Sequence, residues 1–435
     1  MNILKTILGK YSIFREDISI NVDFSNKSTN INCDIKNGEI SIDKNLRNRK
    51  YETSASFTSV SPSVKTIEIK SKKVIIKEKL TFFKKTLIFL LITIFSFQFS
   101  FAKVLYPGIE IEKKTFNDKE GPQVAYTVIL KKGYNYIKRV VLSDFSLFHR
   151  NSLTYIAEKY NALIAINAAF YNVKTGRPLG TVIINHKIVC LPVYRRSVLC
   201  FTDNNDYFIT VPDIKTEFML KNKKFTIDSI NQPYYMGKIS LFTPEFGSST
   251  KTEKNGIELS ISSDKIVEIS SKNAYIPPDG YVISVHDPDN MDFFSKAGIF
   301  DKVSIEFFPG EEMKNVRYAI GGGPTLIKDG KLHITAIEEK FKPDVVFYNA
   351  PRTAAGINKE GDLCLITLDG RQKGYSSGMK LKDFADFLYS EGYYQAMNLD
   401  GGGSSTLVID GKLINRPSDG RQRNINGAII IEYPE

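Results

Sequence analysis

After residue 103, apolar and polar positions alternate over short stretches, and the pattern predicts many strands and few helices. Val124–Leu130 and Tyr136–Leu142 read as strands. Ser152–Tyr160 reads as a helix: Asn151 or Ser152 can cap it, and Leu153, Ile156, Ala157 and Tyr160 make one apolar face. Ala162–Phe170 reads as a buried strand that ends at Asn167-Ala168-Ala169-Phe170-Tyr171. The segments 181–185, 187–191, 197–202 and 207–211 are short and closely spaced, which argues for antiparallel sheet. Residues 225–310 continue as strands and loops, with Tyr281–Val285 ending at His286. The clearest helix carries Leu381, Phe384, Ala385 and Leu388 on one face and stops at Gly392.

That helix runs into Asn398-Leu399-Asp400-Gly401-Gly402-Gly403-Ser404-Ser405-Thr406. Three glycines let the backbone approach a ligand closely. An acid precedes them, and three hydroxyl side chains follow. The unit has an echo: Gly321-Gly322-Gly323 and Gly401-Gly402-Gly403 each lead into a strand, an Asp-Gly turn and a second strand. Gly180–Ile188 is a fainter third copy. The pattern predicts related hairpins with Gly loops at the mouth of one central site. The fold class expected is α+β, a mixed and mostly antiparallel sheet with a few packing helices.

Charge changes the picture only at the N-terminus. Residues 1–102 hold 17 Lys and Arg against 9 Asp and Glu, leaving three of the +11 net charges for the rest. The folded part therefore does not read as a nucleic-acid binder. Residues 1–79 form a polar, basic tail, either disordered or a start-site artefact. Residues 80–102 have lysines, then the apolar run Thr86–Phe99, then Ser100-Phe101-Ala102, as in a cleaved export signal. An uncleaved membrane anchor fits as well, and either places the remainder outside the cytoplasm. Residues 103–159 are a lead-in, and 160–435 the expected catalytic domain. Of Cys33, Cys190, Cys200 and Cys364, none has metal-ligand spacing, while Cys190 and Cys200 flank a candidate hairpin and could form a disulfide or stay buried thiols.

The C-terminal part resembles the phosphodiester glycosidase family. The matching stretches are Leu241–Gly247, Asp279–His286, Ala319–Leu332, Pro351–Gly356 and, above all, Asn398–Thr406 with Asn415–Arg423. They follow the family's order and span roughly residues 160–432. Two departures bear on substrate choice: the family usually has glycines after the Asn at 167, and Gly where Asp287 follows His286.

The resemblance implies hydrolysis of a sugar-1-phosphodiester, such as an N-acetylglucosamine-1-phosphodiester, on cell-surface or exopolysaccharide glycans. An oxocarbenium-like transition state needs a carboxylate. Asp400 is the first candidate for nucleophile or general base, with Asp419 and Asp369 for a second carboxyl. Arg352, Arg421 and Arg423 offer forks for phosphate. Asn167, His286, Asn398, Gly402, Gly403, Ser404, Ser405 and Thr406 are expected to contact substrate. No cofactor or metal ligand set is identified, and a divalent cation stays open. The membrane is expected to be touched only through the N-terminal hydrophobic segment. The Gly runs lack the Lys-Ser/Thr ending of a phosphate-binding P-loop, and no Gly-x-Ser-x-Gly elbow marks a serine hydrolase. The alternative is a non-catalytic carbohydrate or cell-wall binding protein on the same scaffold.

Overall fold

The computed structural model describes residues 99–434 except 193 and 233–237 and, ahead of them, only short strands between residues 19 and 69. Contacts divide the chain into Met1–Phe95 and Ser96–Glu435. The expected export segment lies outside the described residues up to residue 98. Ser100, Phe101 and Ala102 belong to the strand Phe99–Tyr106, which pairs with Ile109–Asp118. Among the described residues no helix is long and apolar enough to cross a membrane.

Two sheets carry the second unit. The larger has eight strands in the order Lys331–Leu332, Thr325–Lys328, Tyr393–Asn398, Arg352–Asn358, Leu363–Leu368, Gly121–Leu130, Ile109–Asp118, Phe99–Tyr106. The other has five: Ile137–Leu142, Gly427–Glu432, Ile164–Asn167, Leu407–Ile409, Lys412–Leu413. Alternation along each strand turns one row of side chains inward. Val128, Leu365 and Met397 of the first sheet share a core with Ile166, Leu407 and Ile429 of the second. Lead-in strands from residues 121–142 thus pair with strands from the C-terminal third, in both sheets.

Both expected helices form. Leu381–Ser390 lays Phe384 and Leu388 on the outer face of the eight-stranded sheet, against Leu326 and Ile366. Leu153–Lys159 packs Ile156 and Ala157 on the five-stranded sheet, and the Ser152 hydroxyl caps it by accepting from Tyr155 N at 3.2 Å. Between residues 182 and 321 a third sheet forms, and two further sheets between 215 and 308 enclose a separate core around Phe218, Leu241, Leu259 and Ile283. The described strand pairs are antiparallel except Ser229–Ile230 with Ile239–Phe242. The expected mostly antiparallel sheet with few helices is observed, and the described residues are β-rich.

The disulfide option does not. Cys190 and Cys200 are buried thiols. Their strands, Lys187–Cys190 and Val198–Thr202, are not neighbours, because Val182–Ile184 and Val316–Gly321 lie between them. Burial pushes the Cys190 thiol up to about 12.

Candidate functional site

The three echoed segments share one geometry. Each is a two-residue hairpin whose central residues both have positive φ: Asn185 and His186, Asp329 and Gly330, Asp410 and Gly411. That is the turn whose twist matches paired strands. The first two Gly loops touch, and the second bonds to the strand end that precedes the third. Gly180 packs against Gly321, and Gly323 N donates to Asn398 O at 2.7 Å.

Asp400 follows Tyr393–Asn398, an interior strand of the large sheet. Its backbone is fixed from two sides. Leu399 N donates to Thr353 O at 2.8 Å, and Asp400 N to Ala168 O at 3.0 Å. The Asn167 amide donates to Asp400 O at 2.6 Å. Gly402 then turns with φ +62°, its N–H bonded to Pro351 O at 2.8 Å. At Gly403 a Cβ would lie 2.2 Å from Arg423 Nη2 and 2.4 Å from Asp419 Oδ2, so only glycine lets those two side chains close over the loop. Asp419 and Arg423 form an ion pair at 2.8 Å. The Arg371 guanidinium sits beside Gly402.

The Asp400 carboxyl is surrounded by protein while solvent still reaches part of the residue. Burial pushes it up to about 7; Ser404, the Arg423 charge and the Gly401 N–H pull the other way. The buried Tyr171 phenol also feels the Asp400 charge and the Ser404 hydroxyl. The Ser404 hydroxyl lies between Asp400 and Tyr171. Asn398 Oδ1 and Thr406 Oγ1, both deeply buried, find no hydrogen-bond partner among the described residues. Buried polar atoms are rarely left so.

Asp400, Gly402, Gly403, Ser404, Asp419 and Arg423 are therefore brought together, and Arg421 is exposed on the same loop. Other expected site residues serve the framework. Asn167 accepts from Thr406 N at 2.9 Å and faces the Thr353 hydroxyl, which also lies 3.0 Å from Ser405 Oγ. Asn398 donates to Gly323 O and Leu399 O.

Three further expected site residues lie in other surroundings. Arg352 is buried, and its fork donates to the carbonyls of Met379, Val345 and Tyr348 at 2.8–2.9 Å, so it staples loops rather than facing a phosphate. Asp369 is fully buried and receives Asn415 Nδ2, Arg416 N and the Tyr375 hydroxyl. Those donors occupy both its oxygens, behind the Gly loop. His286 lies in the other core region, beside Gly256 and Glu258, and burial lowers its affinity for a proton. Tyr171 and Arg371 were not anticipated. The only signals were their places, in the segment after Asn167 and directly after Asp369-Gly370. Among the described residues no cluster of His, Cys, Asp and Glu is arranged to hold a metal ion.

This geometry belongs to a segment with known relatives. Residues 255–432 match the phosphodiester glycosidase family, as the sequence resemblance anticipated. The match takes in Asp400, Asp419 and the arginines; Asn167 and Tyr171 precede it. Over 115 residues the chain is 34% identical to bovine N-acetylglucosamine-1-phosphodiester alpha-N-acetylglucosaminidase, covering 24% of this chain and 21% of that protein. Over 122 residues it is 37% identical to the SPbeta prophage-derived protein YomE of Bacillus subtilis, covering 28% and 18%. The chain thus spans about a fifth of the length of these relatives. A crystal structure of a hypothetical protein from Synechocystis has the same fold, with a TM-score of 0.70 at 22% identity over 76% of this chain and 63% of that one.

Proposed function

We propose that the chain hydrolyses a sugar-1-phosphodiester at the anomeric carbon, with Asp400 as general base. The observation that carries this is a half-buried carboxyl, its proton affinity raised to about 7 by burial, beside a glycine loop and guanidinium groups. A base works best with a pKa near the working pH. Asp400 takes a proton from water as the oxygen attacks C1. The C1–O bond breaks, and its electron pair leaves on the phosphate oxygen. A phosphate leaves far more readily than an alkoxide, so charge stabilisation by Arg423 and Arg371 does much of the work of a general acid. Asp419 orients Arg423 through their ion pair. The Ser404 and Thr406 hydroxyls and Asn398 Oδ1 are available to order the attacking water or sugar hydroxyls.

The expected substrate is an N-acetylglucosamine-1-phosphodiester or a related unit of a cell-surface or exopolysaccharide glycan. Residues 80–102 would deliver the enzyme there as a cleaved signal or an anchor. N-terminal sequencing separates the two: a start near Lys103 means cleavage, and an intact Met1 means an anchor.

The functional test is release of free N-acetylglucosamine from a synthetic N-acetylglucosamine-1-phosphodiester by the full chain. Asp400→Asn is expected to lower kcat by at least about 100-fold, the usual worth of a general base. A folded chain that binds sugar phosphates but turns over none of a panel of such diesters would replace the enzyme with the binding-protein reading.

A further inference from the structure

We propose that a second cavity, remote from Asp400, binds a small hydroxylated ring carrying an oxyanion, a sugar carboxylate or sugar phosphate, with Lys138 as its counter-ion. The cavity is about 320 Å³ and lies between the loop at 131–136 and the turn at 204–206. That volume is at the small end of ligand sites, the size of a monosaccharide. It shares no lining residue with the site around Asp400. Ile357 on its wall lies five residues along the strand from Arg352, roughly 17 Å away at strand rise.

Lys138 is only 6% exposed. Its ammonium donates to Tyr136 O at 3.1 Å, to Asn205 Oδ1 at 2.7 Å and, at 3.5 Å, to Asn205 O. These are neutral acceptors. Among the described residues no carboxylate forms an ion pair with Lys138, though Asp206 attracts it from farther off. Buried cations ordinarily have an anionic partner, because burial alone disfavours the charge. Neighbouring Lys131 is already paired, with Glu110 at 3.5 Å and Asp362 at 3.3 Å. Lys132 adds a positive charge to the wall and Asp206 a negative one. The wall thus carries more cations than carboxylates, and Asp206 makes no ion pair with the Lys138 ammonium.

The remaining surface selects the body of the ligand. Tyr136 and Tyr207 have their hydroxyls tied to Pro107 O at 2.8 Å and Gly361 O at 2.6 Å, which fixes the rings. Lys138 Nζ lies 5.4 Å from the Tyr207 ring centre. Rigid aromatic faces suit the C–H faces of a sugar, and the Asn135 and Asn204 amides on the same wall suit its hydroxyls.

The test uses the full chain and calorimetric titration with glucuronate, glucose 6-phosphate and neutral glucose. Both anions should bind at least tenfold more tightly than glucose, and Lys138→Met should remove that advantage without changing phosphodiester turnover. Binding of one anion alone names the oxyanion, carboxylate or phosphate. In wild-type protein, saturating anion should slow succinimidyl-ester labelling of Lys132, the exposed lysine on the same wall, several-fold by mass spectrometry, and glucose should not. This labelling does not depend on the variant folding or on any catalysis at Asp400. If neither anion binds, or if binding leaves Lys132 labelling unchanged, the proposal falls.

Discussion

At the residue scale, Asp400 sets the pH behaviour. Its pKa of about 7 lies above the ordinary 3.8, so the folded chain keeps a proton that the unfolded chain releases between those values. The base form accumulates as pH rises through 7. The kcat/KM profile is therefore expected to fall below pH 7 with a slope of one; a profile flat from pH 5 to 8 would remove the base role. Stability runs the other way. The contribution of this carboxyl is full below about pH 4 and is lost as pH rises through 7. Asp400→Asn should accordingly stabilise the fold at pH 8, by an amount on the order of 2–4 kcal/mol, and much less at pH 4. Denaturant titrations at the two pH values check it. Gly403→Ala is expected to cut turnover sharply at nearly unchanged melting temperature, because a methyl group would displace the Asp419–Arg423 pair from the loop. Unchanged turnover would show that the pair need not close there.

At the element scale, the three hairpins explain what could be read in advance. Asp-Gly between short apolar runs signals a two-residue turn with both central residues at positive φ. Asp329-Gly330 and Asp410-Gly411 adopt it, and so does the less obvious Asn185-His186. Gly411→Val should therefore destabilise the chain by roughly 1–2 kcal/mol, since a β-branched residue resists left-handed backbone. Thermal melting that shifts by less than a degree would contradict that account. Side-chain direction was not legible. Arg352 and Asp369 have the chemistry a phosphodiester site needs, and both lie at strand ends near it. Their partners come from elsewhere: Met379 O lies 27 residues on from Arg352, and Asn415 lies 46 residues on from Asp369. Local pattern carries no record of such pairings. The same limit hid Tyr171, which reaches Asp400 only because Ile164–Asn167 pairs with Leu407–Ile409.

At the scale of the whole molecule, the alternation of short apolar runs was enough for the mostly antiparallel class. It was not enough for strand order, which depends on which edges long connections bring together. The hairpin suggested by Cys190 and Cys200 failed for this reason, since two strands came between them. Truncation to the family-matched segment, 255–432, should yield no folded protein, because that piece lacks Gly121–Leu130, Ile137–Leu142 and Ile164–Asn167. A cooperative thermal transition from such a fragment would refute this.

Gly427–Glu432 lies between Ile137–Leu142 and Ile164–Asn167, residues made almost three hundred positions earlier. On the ribosome, those two early strands must wait with open edges until nearly the whole chain has been synthesised. The five-stranded sheet then closes in one late step rather than growing as the chain emerges. Waiting of this kind costs time and leaves the nascent chain exposed to aggregation.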